Sequence, residues 1–169
     1  MPITYDKIAT TTLGSSQTSI DFTSISGSYT DLVIIGSIKL ATNTGNQMYL
    51  RMNNDTGSNY SVTTLSGGAS SSATTRFSGQ TYIRYNYFND PNSTSFTDLI
   101  MNINSYSNST TFKTTSSRLN RALGGSVGID VSIGLWRSTS AINRLTFFIE
   151  SSNSFASGSM FTLYGILKA

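Results

Sequence analysis

The sequence predicts an all-β protein folded as an antiparallel two-sheet β-sandwich, jelly-roll-like, with about eight to ten strands. Apolar and polar residues alternate with a period of two along much of the 169-residue chain, and clusters of Gly, Asn, Ser and Asp interrupt the alternation. Helix signals are poor, because Glu150 is the only glutamate and no segment keeps a helical apolar stripe beyond two turns. Many short strands without helices are typical of sandwiches and jelly rolls.

The candidate strands follow one another with short turns between them. Runs of β-branched or aromatic residues recur along the chain and mark these segments. We expect about ten strands from these segments: residues 7–13, 19–22, 31–41, 47–53, 60–65, 81–88, 96–106, 111–115, 128–137, 142–151 and 160–167. Turn chemistry separates them at 26–28 (SGS), 43–46 (NTGN), 55–57 (DTG), 66–68 (SGG), 89–92 (NDPN) and 124–125 (GG).

Three further segments are assigned from composition. Residues 67–75 and 104–111 are the poorest in apolar side chains and are expected to be exposed loops. Residues 117–123 are expected to form one short helical turn. The length predicts a single domain spanning residues 1–169. With 9 Tyr, 9 Phe, 1 Trp and a net charge of only +3, the chain is expected to fold.

The composition argues against most enzyme chemistry. The chain has no His and no Cys, and about a third of it is Ser or Thr. Histidine is the usual base and metal ligand at neutral pH, and cysteine is the strongest nucleophile. Serine is abundant but lacks a histidine to activate it. We therefore expect a non-enzymatic protein with no catalytic residues, no metal and no cofactor.

One carboxylate pair leaves an enzymatic alternative open. Asp130 and Glu150 lie on candidate strands, where two carboxylates could flank a glycosidic bond. The favoured interpretation is that both project from the solvent face of their strands.

The segment from Asn53 to Asn59 resembles a calcium-binding loop, because Asn53, Asp55 and Asn59 place oxygen-bearing side chains around a glycine. It has one carboxylate, and no bidentate acid follows at the expected distance. The favoured interpretation is a hairpin tip whose side chains are available for contacts.

The aromatic run at residues 82–88 is the strongest candidate for a contact surface with another subunit or a glycan. Strand alternation predicts Ile83, Tyr85 and Tyr87 on one face, with the remaining residues on the other. One face must meet the core, so at least half of these aromatics are packing residues. The candidate contact residues are Tyr82, Arg84, Tyr85, Tyr87 and Phe88. Trp136 is expected in the core.

The charges are few and scattered. Arg118 and Arg121 come closest to a phosphate-binding track, and we interpret them as part of a solvated loop. The N-terminal residues lack the pattern of a signal peptide, and no apolar run reaches the roughly 18 residues of a membrane span. We expect synthesis in the cytoplasm and no nucleic-acid or membrane partner.

Three stretches carry a resemblance to known proteins: residues 29–35 (YTDLVII), 49–61 (YLRMNNDTGSNYS) and 156–168 (ASGSMFTLYGILK). Together they resemble small virion structural proteins of tailed bacteriophages. The similarity extends from residues 8–13 (IATTTL) nearly to the C-terminus. The resemblance implies a β-sandwich displayed on the phage particle, and it brings no catalytic residues.

These observations lead to one favoured function and one alternative. The favoured function is a capsid decoration or cement protein, a homotrimer that binds the major capsid protein or other virion proteins on the outer surface of the particle. Multivalent attachment would make weak individual contacts sufficient. The alternative is a tail fibre, tail adaptor or receptor-binding head that recognises a host glycan.

Overall fold

The computed structural model describes residues 5–43, 47–68, 70–87, 91–123, 126–149 and 153–167. These residues form twelve strands and no helix: β1 Tyr5–Thr12, β2 Ser19–Phe22, β3 Asp31–Ile38, β4 Met48–Met52, β5 Tyr60–Gly68, β6 Ser72–Gln80, β7 Ile83–Arg84, β8 Thr97–Asn104, β9 Lys113–Leu123, β10 Ser126–Trp136, β11 Leu145–Ile149 and β12 Met160–Ile166. It follows that no helix in the described part of the chain could cross a membrane.

The strands form two antiparallel sheets, as the sequence predicts. The large sheet has the order β1-β12-β3-β8-β9-β10-β5-β6, and the small sheet has the order β2-β11-β4-β7. Without β5, β6, β9 and β10, the two orders are β1-β12-β3-β8 and β2-β11-β4-β7, which is the eight-stranded jelly-roll arrangement. The fold is therefore a jelly roll in which two inserted hairpins, β5–β6 and β9–β10, extend one sheet.

Apolar side chains fill the space between the jelly-roll sheets. Phe147 on β11 packs against Phe161 on β12 with ring centroids 5.3 Å apart, and Phe161 packs on Phe155 at the same distance. All three are fully buried. The same core also contains residues near the start of the chain, such as Leu13 and Ile20, so it joins strands from both ends of the sequence.

Two segments differ from the sequence prediction because strand pairing overrides their composition. Residues 117–123 are not a helical turn but part of β9, which pairs with both β8 and β10. Residues 67–75 are not simply a loop, since they include the end of β5 and the start of β6. β6 is an edge strand that pairs only with β5, so it needs few apolar residues.

The aromatic segment at 81–88 is mostly not a strand. Only Ile83 and Arg84 pair in β7, against β4 at the edge of the small sheet. Tyr85 continues into the core, Tyr87 is half-buried, and Phe88 lies outside the described residues. The expected alternation of faces therefore applies only to the first part of this segment.

Candidate functional site

The outer side of the large sheet carries an exposed group of aliphatic residues. Four of them are alternate residues of β10, and the others lie on β3, β5 and β8. They are 37% to 66% exposed. We call this group the aliphatic face: Ile35, Leu65, Ile100, Val127, Ile129, Val131 and Ile133. Isolated surface aliphatics are normal, but a continuous group on one sheet marks a contact site.

Strand register makes the face continuous. Val131 lies directly opposite Leu65 on β5 and Arg118 on β9. Arg118 is in turn opposite Ile100 on β8, which is opposite Ile35 on β3. Directly opposed residues share one side of a sheet, so these side chains form a row across five strands.

The inner side of β10 explains why its apolar residues point outward. Asp130 is fully buried, and its Oδ2 accepts a hydrogen bond of 2.8 Å from the backbone N–H of Tyr87. Ser132 is also buried, with its Oγ 2.8 Å from Oγ1 of Thr64. β10 packs here against β7, which brings backbone groups that need polar partners. The prediction that Asp130 faces solvent is therefore wrong.

The enzymatic alternative depended on Asp130 meeting Glu150. Asp130 is enclosed beneath the sheet, and Glu150 lies outside the described residues. Within the described residues, no three Asp or Glu side chains come close enough together to hold a metal ion.

A second surface lies on the outer side of the small sheet. Tyr82 packs on Tyr49 with ring centroids 4.0 Å apart and meets Phe148 edge-on at 6.0 Å. The guanidinium of Arg51 lies 4.6 Å from the centroid of Phe148. We call Tyr49, Arg51, Tyr82 and Phe148 the aromatic cluster. Tyr49 is buried and the other three are partly exposed, so the cluster offers two ring edges and a cation.

Arg84, Tyr85 and Tyr87, the other described candidates of the aromatic run, make packing contacts within the molecule. The Nε of Arg84 donates to the carbonyl of Asn86 at 2.8 Å, and its guanidinium lies 4.9 Å from the ring centroid of Tyr87. Tyr87 contacts Phe77, with ring centroids 5.8 Å apart. Tyr85 is fully buried. Among the predicted contact residues of this run that the structure describes, Tyr82 alone joins the aromatic cluster. Its partners Tyr49, Arg51 and Phe148 were not predicted, although each occupies an outward position of an alternating strand.

The loop between β4 and β5 uses its polar side chains internally. Asp55 accepts hydrogen bonds from Gly57 N at 2.8 Å, Asn59 Nδ2 at 2.9 Å and Trp136 Nε1 at 2.6 Å. Asn53 accepts from the backbone N–H groups of residues 143 and 144 and donates to the carbonyl of residue 141. The loop is not the expected hairpin tip, because β4 and β5 belong to different sheets, and the oxygens that suggested calcium ligands instead hold this connection between the sheets together.

Hydrogen bonding also sets the ionisation of this loop. Burial raises the pKa of Asp55, but hydrogen bonds from Trp136, Asn59 and Gly57 outweigh it, and the pKa is lowered from its usual 3.8. Asp55 is thus a charged anchor for the end of β10.

Comparison with known proteins adds no relative, since no family model, curated protein or solved structure matches the chain.

Proposed function

We propose that this protein is a non-enzymatic structural protein of a bacteriophage particle, a decoration or cement protein that oligomerises and binds the capsid lattice. The observation that carries the proposal is the aliphatic face. A free jelly-roll domain would gain solubility from polar residues at these positions, and their aliphatic character is explained if a partner covers them.

The resemblance to phage virion proteins supports the same function. The stretch at 29–35 includes the first five residues of β3, and the stretch at 156–168 contains β12, which pairs with β3 in the large sheet. The stretch at 29–35 ends at Ile35, which belongs to the aliphatic face. The resemblance thus falls partly on the surface that the proposal needs.

Lattice attachment also fits the weak charge of the chain. Only 11% of the residues are charged, against about 25% in typical domains. A protein repeated over a lattice gains avidity from many copies, so each contact needs only modest affinity. Long-range electrostatic attraction between the protein and the lattice is then not needed for attachment.

The direct test is the location of the protein in intact virions. Mass spectrometry of purified particles should detect it at many copies, and difference maps between wild-type and gene-deleted particles should place its density on the capsid exterior. Purified protein should bind emptied capsids and not isolated tails. Particles with no copies of the protein would contradict the proposal.

A second function is favoured by the aromatic cluster. Exposed Tyr and Phe rings beside an arginine suit stacking against a sugar, so we propose, as the alternative, a receptor-binding head or tail adaptor that recognises a host glycan. A glycan array should then give a signal that Tyr82→Ala abolishes. Tyr5→Ala, which removes an exposed tyrosine on the large sheet, is the matched control. No signal on the array, together with binding to emptied capsids, would reject the alternative.

A further inference from the structure

The size of the aliphatic face is that of an interface centre. It extends over five neighbouring strands, from β3 through β8, β9 and β10 to β5. At about 4.8 Å per strand and about 3.4 Å per residue, it is about 20 Å wide, and the column from Val127 to Ile133 is about 20 Å long. The rectangle that encloses this row and column, which also contains polar residues such as Thr63, Ser116 and Asn120, has an area of about 400 Å², half of the roughly 800 Å² that each partner buries in a standard interface. Polar residues around the face would supply the rim.

Two charged side chains belong to this surface. Arg118 lies within the row of aliphatic residues, directly opposite Ile100. Asp98 lies two residues from Ile100 on the same side of β8. Both are exposed, and neither makes an ion pair or hydrogen bond with any residue in the described ranges. An arginine among aliphatic residues is typical of the centre of a protein interface.

A flat apolar sheet is covered best by another flat apolar sheet, since packed sheets interdigitate their side chains at a separation of about 10 Å. The outer side of the small sheet does not provide one, because Arg51 and Arg84 interrupt its rings. The other large apolar side chains that are exposed in the described chain lie on β1 and β12 (Tyr5 and Met160) or just outside a strand (Phe96, Phe112 and Leu167). The best match to the aliphatic face within this protein is the same face on a second copy.

We propose that the aliphatic face binds a second copy of this chain, face to face across a two-fold axis. Two-fold contacts are the commonest in homo-oligomers and require such self-complementarity. A ring of three, as expected from the sequence, would instead press the aliphatic face against a different and less apolar surface. The inference rests on the proposed function only in treating this face as a contact surface.

The strand register gives one axis that stacks the aliphatic residues of β10 on one another and brings opposite charges of β8 and β9 together. Val131 and Ile129 are successive outward residues of β10, opposite Arg118 and Asn120 respectively. An axis running across the strands between these two rows lays Val131 of one copy over Ile129 of the other. Aliphatic side chains then cover one another along the centre of β10.

The same operation brings opposite charges together. It lays Arg118 over Asn120 of the second copy, and Asn120 is directly opposite Asp98. Measured within the plane of the sheets, Arg118 is then about 4.8 Å, one strand spacing, from Asp98 of the other copy. The long arginine side chain spans the gap of about 10 Å between the two packed sheets. Two equivalent Arg–Asp pairs result, one on each side of the axis.

Sedimentation equilibrium of the full-length protein tests the proposal. The wild-type chain should be a dimer at micromolar concentration. Leu65→Lys and Ile133→Lys each place a charge at an exposed position of the face, so each should weaken dimerisation at least about 30-fold, the effect expected of an interface hot spot. Ser19→Lys adds the same charge on the outer side of the small sheet and should leave the dimer intact. The thermal unfolding midpoint of each variant checks that the fold is retained.

A charge swap tests the two-fold axis. Asp98→Arg and Arg118→Asp should each weaken the dimer by placing like charges together, and the double variant should recover most of the lost affinity. A wild-type monomer or trimer, a dimer insensitive to Leu65→Lys, or a double variant no better than the single ones would overturn the proposal. If the protein is a monomer and is found on virions, the two-fold dimer is rejected and the proposed function stands. If it is a dimer and is absent from virions, the proposed function is rejected and the dimer stands.

Discussion

The indole Nε1 of Trp136 donates a hydrogen bond of 2.6 Å to Oδ2 of Asp55, and so joins the last residue of β10 to the loop between β4 and β5. Trp136 also stacks on Tyr60, the first residue of β5, with ring centroids 6.2 Å apart. The hydroxyl of Tyr60 returns to the same loop by donating to the carbonyl of Asp55. These contacts fasten the inserted strands, which carry much of the aliphatic face, to the jelly roll.

The first prediction concerns the charge of Asp55. Because its pKa is lowered in the folded protein, the stabilisation it gives is present above the unfolded-state value of about 3.9 and is lost as pH falls through the folded pKa. Asp55→Asn should lower the free energy of unfolding by about 1–2 kcal/mol at pH 7, since an amide cannot accept all three hydrogen bonds. Urea titrations at pH 7 and pH 3 measure both effects.

Asp6→Asn is the control for that experiment, because it removes an exposed carboxylate that accepts a hydrogen bond at the surface, from the Tyr29 hydroxyl. The two proteins should differ at pH 7, and the difference should narrow as the pH falls below the unfolded-state pKa of Asp55. An Asp55→Asn variant as stable as the control at pH 7 would show that the loop does not depend on the carboxylate.

The second prediction compares two buried tyrosines. The Tyr85 hydroxyl is buried and has no hydrogen-bond partner among the described residues, and burial raises its pKa. Tyr60 is equally buried, but its hydroxyl bonds to the backbone of Met52 and Asp55, and burial raises its pKa to about 12. Removing an unsatisfied hydroxyl should cost nothing, whereas removing a bonded one should leave buried groups unpaired.

Tyr85→Phe should therefore leave the free energy of unfolding unchanged or raise it by about 1 kcal/mol, and Tyr60→Phe should lower it by about 1–2 kcal/mol. Urea unfolding of the two variants and the wild type at neutral pH measures the difference. Equal losses in both variants would mean that Tyr85 has a partner in solution.

The third prediction concerns close packing at Gly134 on β10. A Cβ at this position would lie 2.7 Å from Cδ1 of the fully buried Ile83 and would also meet the Thr115 side chain. Gly134→Ala should therefore destabilise the fold by about 1–3 kcal/mol, the usual cost of overpacking. Gly67→Ala on the adjacent β5, where the nearest side-chain atom is 3.6 Å away, should change the thermal midpoint much less.

The sequence predicted the two-sheet class because alternation and turn residues are local signals. It missed β6 and most of β9, since both are rich in Ser and Thr and owe their pairing to neighbours that are distant in the chain. The strand count therefore came out lower than the twelve observed. Local composition does not reveal that two hairpins extend one sheet past β8.

The orientation of β10 could have been predicted. Trp136 was assigned to the core and Asp130 to solvent, yet residues six apart on a strand share a face. With Trp136 buried, Asp130, Ser132 and Gly134 must also point inward, and the intervening aliphatic residues must point outward. The general preference for apolar residues in cores argued against a buried Asp130. Asp130 can be buried because it accepts a hydrogen bond from the backbone N–H of Tyr87, whose position no local sequence pattern specifies.

The last prediction concerns Lys113, the first residue of β9. It is fully buried, and its Nζ donates to the carbonyls of Thr111 at 2.7 Å and Thr139 at 3.2 Å. Burial lowers its pKa from the usual 10.5, because no carboxylate among the described residues pairs with the charge. The folded protein therefore holds fewer protons than the unfolded chain between the lowered pKa and about 10.5.

The contribution of Lys113 to the free energy of unfolding should therefore rise with pH between its lowered pKa and about 10.5, and it should be constant at lower pH. Lys113→Met should abolish the rise, so the difference in free energy of unfolding between wild type and variant should shift in favour of wild type from pH 7 to pH 10. Taking the difference cancels the ionisation of the tyrosines, and Lys39→Met, which removes a partly exposed lysine, is the control. A difference that does not change with pH would mean that Lys113 keeps its ordinary pKa in the folded state.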